Sequence, residues 1–178
     1  CCSSSNSMFQ KYIKISIFVL LSACKSEVFS FPAEPVLSIE KPVEQIKLNG
    51  KDSILKITVH YTDGDGDIGL EPGDTLVPFN YGGKYFYNLL VKVYAVENGV
   101  GKRIPIPSST DTVNFNDRIA NITPTGKNKA IYGDLTITLR SIPYPGIKPD
   151  SMYYTVQIAD RSLHFSNIVQ TPTMRFEF

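Results

Sequence analysis

The chain of 178 residues lacks most of the residue types on which common enzyme chemistries depend. It has no tryptophan and only two histidines, His60 and His164, and none of its three cysteines comes after Cys24. The rest of the chain therefore offers neither a disulfide nor a cysteine thiolate for catalysis or zinc binding. The motifs of serine hydrolases, zinc proteases and phosphate-binding loops are missing as well. We therefore expect that the protein is not an enzyme.

A large excess of charge is also missing. Of the 18 Lys and Arg residues, Lys11 and Lys14 precede residue 25, which leaves 16 basic residues against 17 Asp and Glu. This balance predicts no nucleic-acid partner, because such a partner requires a basic surface. It also gives no reason to expect binding to an anionic membrane by charge alone.

The N-terminal region has the pattern of an export signal. Lys11 and Lys14 precede a short apolar run, residues 15–21, which falls short of the ~20 residues of a membrane-spanning helix. The run ends at Leu21-Ser22-Ala23-Cys24, which resembles the lipobox of bacterial lipoproteins. This resemblance implies that the Cys24 thiol is diacylated, that Cys24 becomes the mature N-terminus and that the lipid holds the protein on a membrane. An uncleaved single-span anchor is the alternative.

These features predict four regions. Met8 is the natural start, so residues 1–7 are expected to be an upstream extension and residues 8–23 a lipoprotein signal peptide. Residues 24–35 are expected to form a lipidated tether, because Pro32 and Pro35 oppose both a helix and a central strand. Residues 36–178 are expected to form one domain, and their number suits a single hydrophobic core.

From Val36 onward, apolar and polar residues alternate with a period of two, which predicts β-strands rather than helices. Asn98-Gly99 lies between two alternating segments and predicts a hairpin turn. About seven to nine short strands indicate an all-β fold, an antiparallel β-sandwich of the immunoglobulin-like kind. The longest alternating segments are Ile54–Tyr61, Leu89–Val96, Leu135–Leu139, Tyr153–Ile158 and Asn167–Thr171.

An acidic loop follows the first long strand. Asp63, Asp65 and Asp67 alternate with glycines, which allow the backbone to bend so that the three carboxylates converge. Calcium takes about six to eight such oxygen ligands, and it would relieve the repulsion among three like charges. The loop therefore predicts a structural calcium site formed by Asp63, Asp65 and Asp67, with Glu71 and Asp74 assisting.

Counted from Asp63, the loop follows the register of an EF-hand only in part. It differs at Ile68, where an EF-hand has glycine, at Asp74, where an EF-hand has a bidentate Glu, and in the strand that precedes it. The loop is therefore not an EF-hand. A solvated turn, in which Asp and Gly serve only the backbone geometry, is the alternative to calcium binding.

The segment Tyr61–Leu70, together with three short motifs near the C-terminus, resembles small surface lipoproteins of Bacteroidota. The three motifs are Asp160-Arg161, Ser166-Asn167 and Thr171-Pro172. The resemblance implies an immunoglobulin-like sandwich behind a lipid anchor, and it implies no particular activity. Such lipoproteins often carry an acidic export signal after the lipidated cysteine, which Lys25-Ser26-Glu27 matches only weakly.

Four Asp-[Ser/Thr]-apolar triplets resemble the O-glycosylation acceptors of exported proteins in the same bacteria. The alternative is that a turn Asp before a strand produces such triplets without modification. The candidate acceptors are Ser53, Thr75, Thr112 and Ser151.

An aromatic segment, Phe79–Tyr87, surrounds the flexible pair Gly82-Gly83. Its pattern favours a hairpin whose aromatic side chains pack on the core and on neighbouring strands. The alternative is an exposed surface that stacks on sugar rings or anchors a protein partner.

Together these features predict a lipid-anchored outer-membrane lipoprotein that is a non-catalytic binding or accessory module, surface-exposed or periplasm-facing. Its expected partners are the membrane and an envelope protein or a glycan. One alternative is a structural subunit of an envelope transport or secretion complex. Another is a small hydrolase that uses Asp63, Asp65 or His164.

Overall fold

The computed structural model describes residues 30–178, and in this part of the chain nine β-strands form and no helix. The expected all-β fold and the expected number of strands are thereby confirmed. Residues 30–178 contain no helix that is long and apolar enough to cross a membrane. The strands are β1 Val36–Ser38, β2 Glu44–Leu48, β3 Lys51–Asp63, β4 Leu89–Glu97, β5 Val100–Arg103, β6 Ile131–Arg140, β7 Ser151–Ile158, β8 Val169–Gln170 and β9 Met174–Arg175.

The first sheet is built around β3, the longest described strand. Along one edge β3 pairs antiparallel with β6, from Ile54 opposite Arg140 to Asp63 opposite Ile131. Its other edge carries β2 near the start of the strand and β1 near its end. Asp63, the last residue of β3, is therefore held by pairing on the β6 side.

The second sheet has the order β5-β4-β7, with β8 and β9 on the outer edge of β7. Asn98 and Gly99 join β4 to β5 with positive φ angles of 52° and 77°, which is the geometry of a tight hairpin turn. The hairpin that this dipeptide predicts is confirmed. All strand pairs in both sheets are antiparallel.

The two sheets bury one core between them, because alternate residues of each strand face inward. In β3 the inward residues include Leu55, Ile57 and Val59, each with no exposed surface. The facing strands contribute a second set of side chains that are fully buried: Val91, Val93, Met152, Tyr154, Val156 and Ile158. The arrangement is an open β-sandwich.

One end of the sandwich, here called the loop end, collects four segments. The register places the end of β3 beside the start of β6, and the start of β4 beside the end of β7. Single β-bridges join Ile68 to Asp160 and Leu70 to Ala120. The loop end therefore consists of residues 30–35, 64–88, 117–130 and 159–168.

The aromatic segment lies in the long connection between β3 and β4 and does not form the expected hairpin. Residues 71–88, all of which the structure describes, contain successive turns and no strand. Their carbonyls bond instead to the guanidinium of Arg118, whose nitrogens lie 2.7 Å from Phe86 O and 3.0 Å from Asp74 O. Hydrogen bonds from Arg118 thus hold this segment, in place of the strand-to-strand hydrogen bonds that a hairpin would form.

Candidate metal centre

Asp63, Asp65 and Asp67 converge at the loop end. One carboxylate oxygen from each residue lies within 4.8 Å of the other two. Asp63 has no exposed surface, because the end of β3 is covered, and the other two side chains are partly buried. Three convergent carboxylates of this kind could hold a metal ion.

The Oδ1 atom of each aspartate is buried and has no hydrogen-bond partner within residues 30–178. The second oxygens of Asp63 and Asp67 are used by the protein. Asp63 Oδ2 accepts the Asp67 backbone N–H at 3.0 Å, and Asp67 Oδ2 accepts the Ser162 hydroxyl at 2.7 Å. Buried polar atoms are normally paired, and an unpaired buried acceptor is costly. These three Oδ1 atoms are therefore available as ligands for a metal ion.

The electrostatics of the group favour a positive partner. Burial raises the pKa of Asp63 to about 7, and the neighbouring carboxylates of Asp65 and Asp67 add to this effect. Without a cation, a proton is therefore needed at near-neutral pH to relieve the burial of negative charge. A divalent cation would serve the same purpose with all three carboxylates ionised.

The glycines between the aspartates allow the loop to pack closely against other segments. A Cβ at Gly64 would collide with the carbonyl oxygen of Phe31, and a Cβ at Gly66 would collide with that of Lys129. Gly66 also has a φ of 64°, which side-chain-bearing residues rarely adopt. Asp63-Gly64-Asp65-Gly66-Asp67 thus packs closely against residues 31 and 129, and its glycines have the backbone role that both calcium binding and the alternative of a simple turn require.

Asp160, for which the sequence predicted no role, lies in the β7–β8 connection and forms a β-bridge with Ile68, which follows this loop. Asp160 is buried. Its Oδ1 atom accepts the His164 backbone N–H at 2.7 Å, and its Oδ2 atom lies 3.0 Å from His164 Nδ1. Burial raises the pKa of Asp160, and the hydrogen bond to Asp160 raises the pKa of His164. The only signal in the sequence was the Asp160-Arg161 motif.

Arg161 joins the metal loop to the segment that follows it. Its backbone N–H donates to Asp67 O at 3.2 Å, and its guanidinium lies 2.9 Å from Asp74 Oδ2. Asp74 Oδ2 also accepts the Glu71 backbone N–H at 2.8 Å. The carboxylate of Glu71 accepts a hydrogen bond from Asn121 at 2.6 Å. Glu71 and Asp74, the two predicted assisting ligands, are thus engaged in other contacts and do not belong to the group of three converging carboxylates.

The remaining predicted residues are dispersed. Cys24, the predicted lipidation site, lies outside the described residues. Among the candidate O-glycosylation acceptors, Thr75 is exposed, whereas Ser53, Thr112 and Ser151 are partly buried. The Thr112 hydroxyl accepts a hydrogen bond from Arg103 at 2.5 Å.

The residues of the hydrolase alternative are divided between two functions in the loop end. Asp63 and Asp65 belong to the group of three converging carboxylates, and His164 is paired with Asp160. The hydroxyl of Ser162 donates to Asp67 rather than to the imidazole. A nucleophile that His164 would activate must donate to its free ring nitrogen, and the Ser162 hydroxyl does not fill that role.

The fold and the site define the protein as an all-β sandwich with a candidate metal centre in one end loop. Comparison of the chain with protein-family models, with curated proteins and with solved structures gives no match. A statement on function therefore depends on the residues themselves.

Proposed function

We propose that the protein is a lipid-anchored, non-catalytic binding or accessory module of the outer membrane, with a calcium ion that holds its loop end in one conformation. The observation that carries this proposal is the convergence of the carboxylates of Asp63, Asp65 and Asp67, each of which has a buried and unpartnered Oδ1 atom. The lipobox-like Leu21-Ser22-Ala23-Cys24 supports the anchor. The antiparallel sandwich supports the immunoglobulin-like assignment.

Calcium suits the donor set better than other common metals. All three donors are carboxylate oxygens, and the group has no sulfur or imidazole ligand, which zinc and copper prefer. Two oxygens on one calcium ion lie at most about 5 Å apart, and the three donors fall within 4.8 Å. Magnesium requires near-ideal octahedral geometry at about 2.0–2.1 Å and is usually held by one or two carboxylates, whereas this group offers three.

The ion would act on structure and not on a reaction. Asp63 belongs to β3, whereas Asp65 and Asp67 belong to the loop, so one ion would tie the loop to the sheet. Through Asp67 the effect would reach Ser162 and Arg161 in the β7–β8 connection. Calcium would thus hold together two segments that form the surface of the loop end.

Thermal unfolding with and without calcium tests the metal site. At a calcium concentration one hundred times Kd, binding to the native state contributes about 2.7 kcal/mol. For this size of domain the melting temperature then rises by about 5–11 °C. The variant Asp65→Asn with Asp67→Asn should lose the rise. The matched control, Asp111→Asn with Asp150→Asn, changes two exposed aspartates elsewhere and should keep it. A parent protein that shows no rise at millimolar calcium would contradict the site.

Purification in mild detergent tests the partner. An accessory module of the proposed kind should come with a glycan or with a loosely held envelope protein. A fixed stoichiometric membrane protein would instead indicate the alternative, a structural subunit of an envelope transport or secretion complex. Both outcomes leave the calcium site to be judged by its own experiment.

A further inference from the structure

Three large apolar side chains extend from the loop end into solvent. Leu76, Val77 and Tyr81 are 80%, 83% and 84% exposed, which are the highest values among the exposed large hydrophobic residues of the described chain. All three belong to one turn-rich segment, residues 74–81, here called the apolar tip. Three such side chains within six residues of one exposed segment fit a site that contacts a membrane or a protein.

The apolar tip is held in place by hydrogen bonds at its base. Arg118 donates to Asp74 O at 3.0 Å and to Phe86 O at 2.7 Å, and its guanidinium lies 5.1 Å from the centre of the Phe86 ring. Tyr81 packs edge-on against the same ring at 5.1 Å. Because the base is ordered, little conformational entropy remains to be lost when the tip is buried against a partner.

The chain enters the domain at the same end. Pro32 O accepts the Gly64 N–H at 2.7 Å, beside the metal loop, and Arg161 links that loop to Asp74 at the start of the apolar tip. Phe31 follows Cys24 by seven positions, and seven peptide units span at most about 25 Å whatever their conformation. A lipid on Cys24 would therefore keep the loop end within this distance of a bilayer.

We propose that the apolar tip docks the domain onto the bilayer that carries its lipid anchor. This inference rests on the proposed lipidation of Cys24. Tethering gives the tip a high effective concentration at the membrane surface, so even a weak apolar contact is populated. Leu76 and Val77 would enter the boundary between headgroups and acyl chains, and Tyr81 would lie at the headgroup level, where tyrosine is enriched. The calcium loop, on this view, sets the orientation of the docked domain.

The absence of tryptophan allows a direct test. Leu76→Trp and Tyr81→Trp each place a single fluorophore on the apolar tip. Leu48→Trp is the matched control, because Leu48 is 66% exposed and ends β2 next to the Asn49-Gly50 turn, at the opposite end of the sandwich. Each mature lipidated protein is reconstituted in vesicles of phosphatidylethanolamine and phosphatidylglycerol, with or without bromine on the acyl chains.

Docking predicts that brominated chains quench the tryptophan of both tip variants and shift its emission to shorter wavelength, while Leu48→Trp keeps a solvent-exposed spectrum. If the protein floats with the vesicles but bromine does not quench the tryptophan of either tip variant, docking is overturned and the lipid anchor is not. Equal quenching at both ends would overturn the preferred orientation.

Emission that shifts with protein density but not with bromine would identify a second copy of the chain as the occupant, against the proposal. An O-glycan on Thr75 would also contradict it, because a sugar would hold the tip in water. Protein that fails to float with vesicles would contradict the lipid anchor itself.

Discussion

The Asp63 carboxylate accepts the backbone N–H of Asp67 at 3.0 Å through one oxygen and leaves its other oxygen buried without a partner in residues 30–178. This contact closes a five-residue loop onto the end of a strand. The Asp63 carboxylate is also buried beside two other acidic side chains. Burial and these neighbours together raise the pKa of Asp63 to about 7. The same contact thus orders the loop and places a carboxylate where a proton or a cation would relieve the burial of its charge.

The raised pKa of Asp63 predicts how stability depends on pH in calcium-free buffer. A carboxyl with a raised folded-state pKa stabilises the fold fully below its unfolded pKa, near 4, and loses this contribution as pH rises through about 7. Asp63→Asn keeps an acceptor for the Asp67 N–H and has no charge. It should be more stable than the parent at pH 8, by about 1–3 kcal/mol, and nearly equal to it at pH 4. Urea unfolding at a series of pH values measures the difference.

Asp134 provides a control of opposite sign for that experiment. Hydrogen bonds from Lys41 and His60 lower its pKa, so its contribution to stability is present above its unfolded pKa and is lost as pH falls. Asp134→Asn should therefore be less stable than the parent at pH 8 and should match it at low pH. If Asp63→Asn were also less stable than the parent at pH 8, as expected for Asp134→Asn, this result would contradict the buried charge at Asp63.

Calcium removal should loosen the loop end without unfolding the domain. The strands of the core are buried apart from the candidate metal group, whereas Asp67 joins residues 64–70 to residues 160–164 through its contact with Ser162. Hydrogen exchange should therefore accelerate on chelation in those two segments and stay unchanged in β3 and β4. Asp65→Asn with Asp67→Asn should exchange rapidly in both conditions. Equal exchange with and without calcium in the parent would show that the ion does not order the loop.

A methyl group at Gly66 should disrupt the metal loop. Gly66→Ala places a Cβ against the Lys129 carbonyl oxygen and forces a φ of 64° on a residue that avoids it. We expect a loss of at least about 2 kcal/mol in the free energy of unfolding, together with weaker calcium binding. Gly73→Ala is the matched control, because nothing lies within 4 Å of its added methyl group. Similar melting temperatures for the two variants would contradict the enclosed loop.

Lipidation is expected at Cys24 alone. Cys24→Ser should release the protein from membranes or leave the signal uncleaved, because the acceptor thiol is gone. The intact mass of the mature protein reports the modification directly. An unmodified Cys24 in the mature protein would exclude the anchor.

The sequence by itself determined the class of fold and the position of the acidic loop. Both are local properties: side chains alternate along a strand, and Asn98-Gly99 adopts a hairpin turn without help from distant residues. The convergence of Asp63, Asp65 and Asp67 was also accessible, because their spacing lies within five residues. The immunoglobulin-like assignment and the lipid anchor stay predictions.

Only the tertiary structure decided what surrounds that loop. Asp160 and Ser162 reach it from nearly one hundred residues away in the chain, as the separation of 95 residues between Asp67 and Ser162 illustrates. Arg118 holds residues 74–86 in turns where their aromatic pattern favoured a hairpin. The physical reason is that such contacts depend on which loops the two sheets bring to one end. The alternation of apolar and polar residues along a strand does not specify which loops these are.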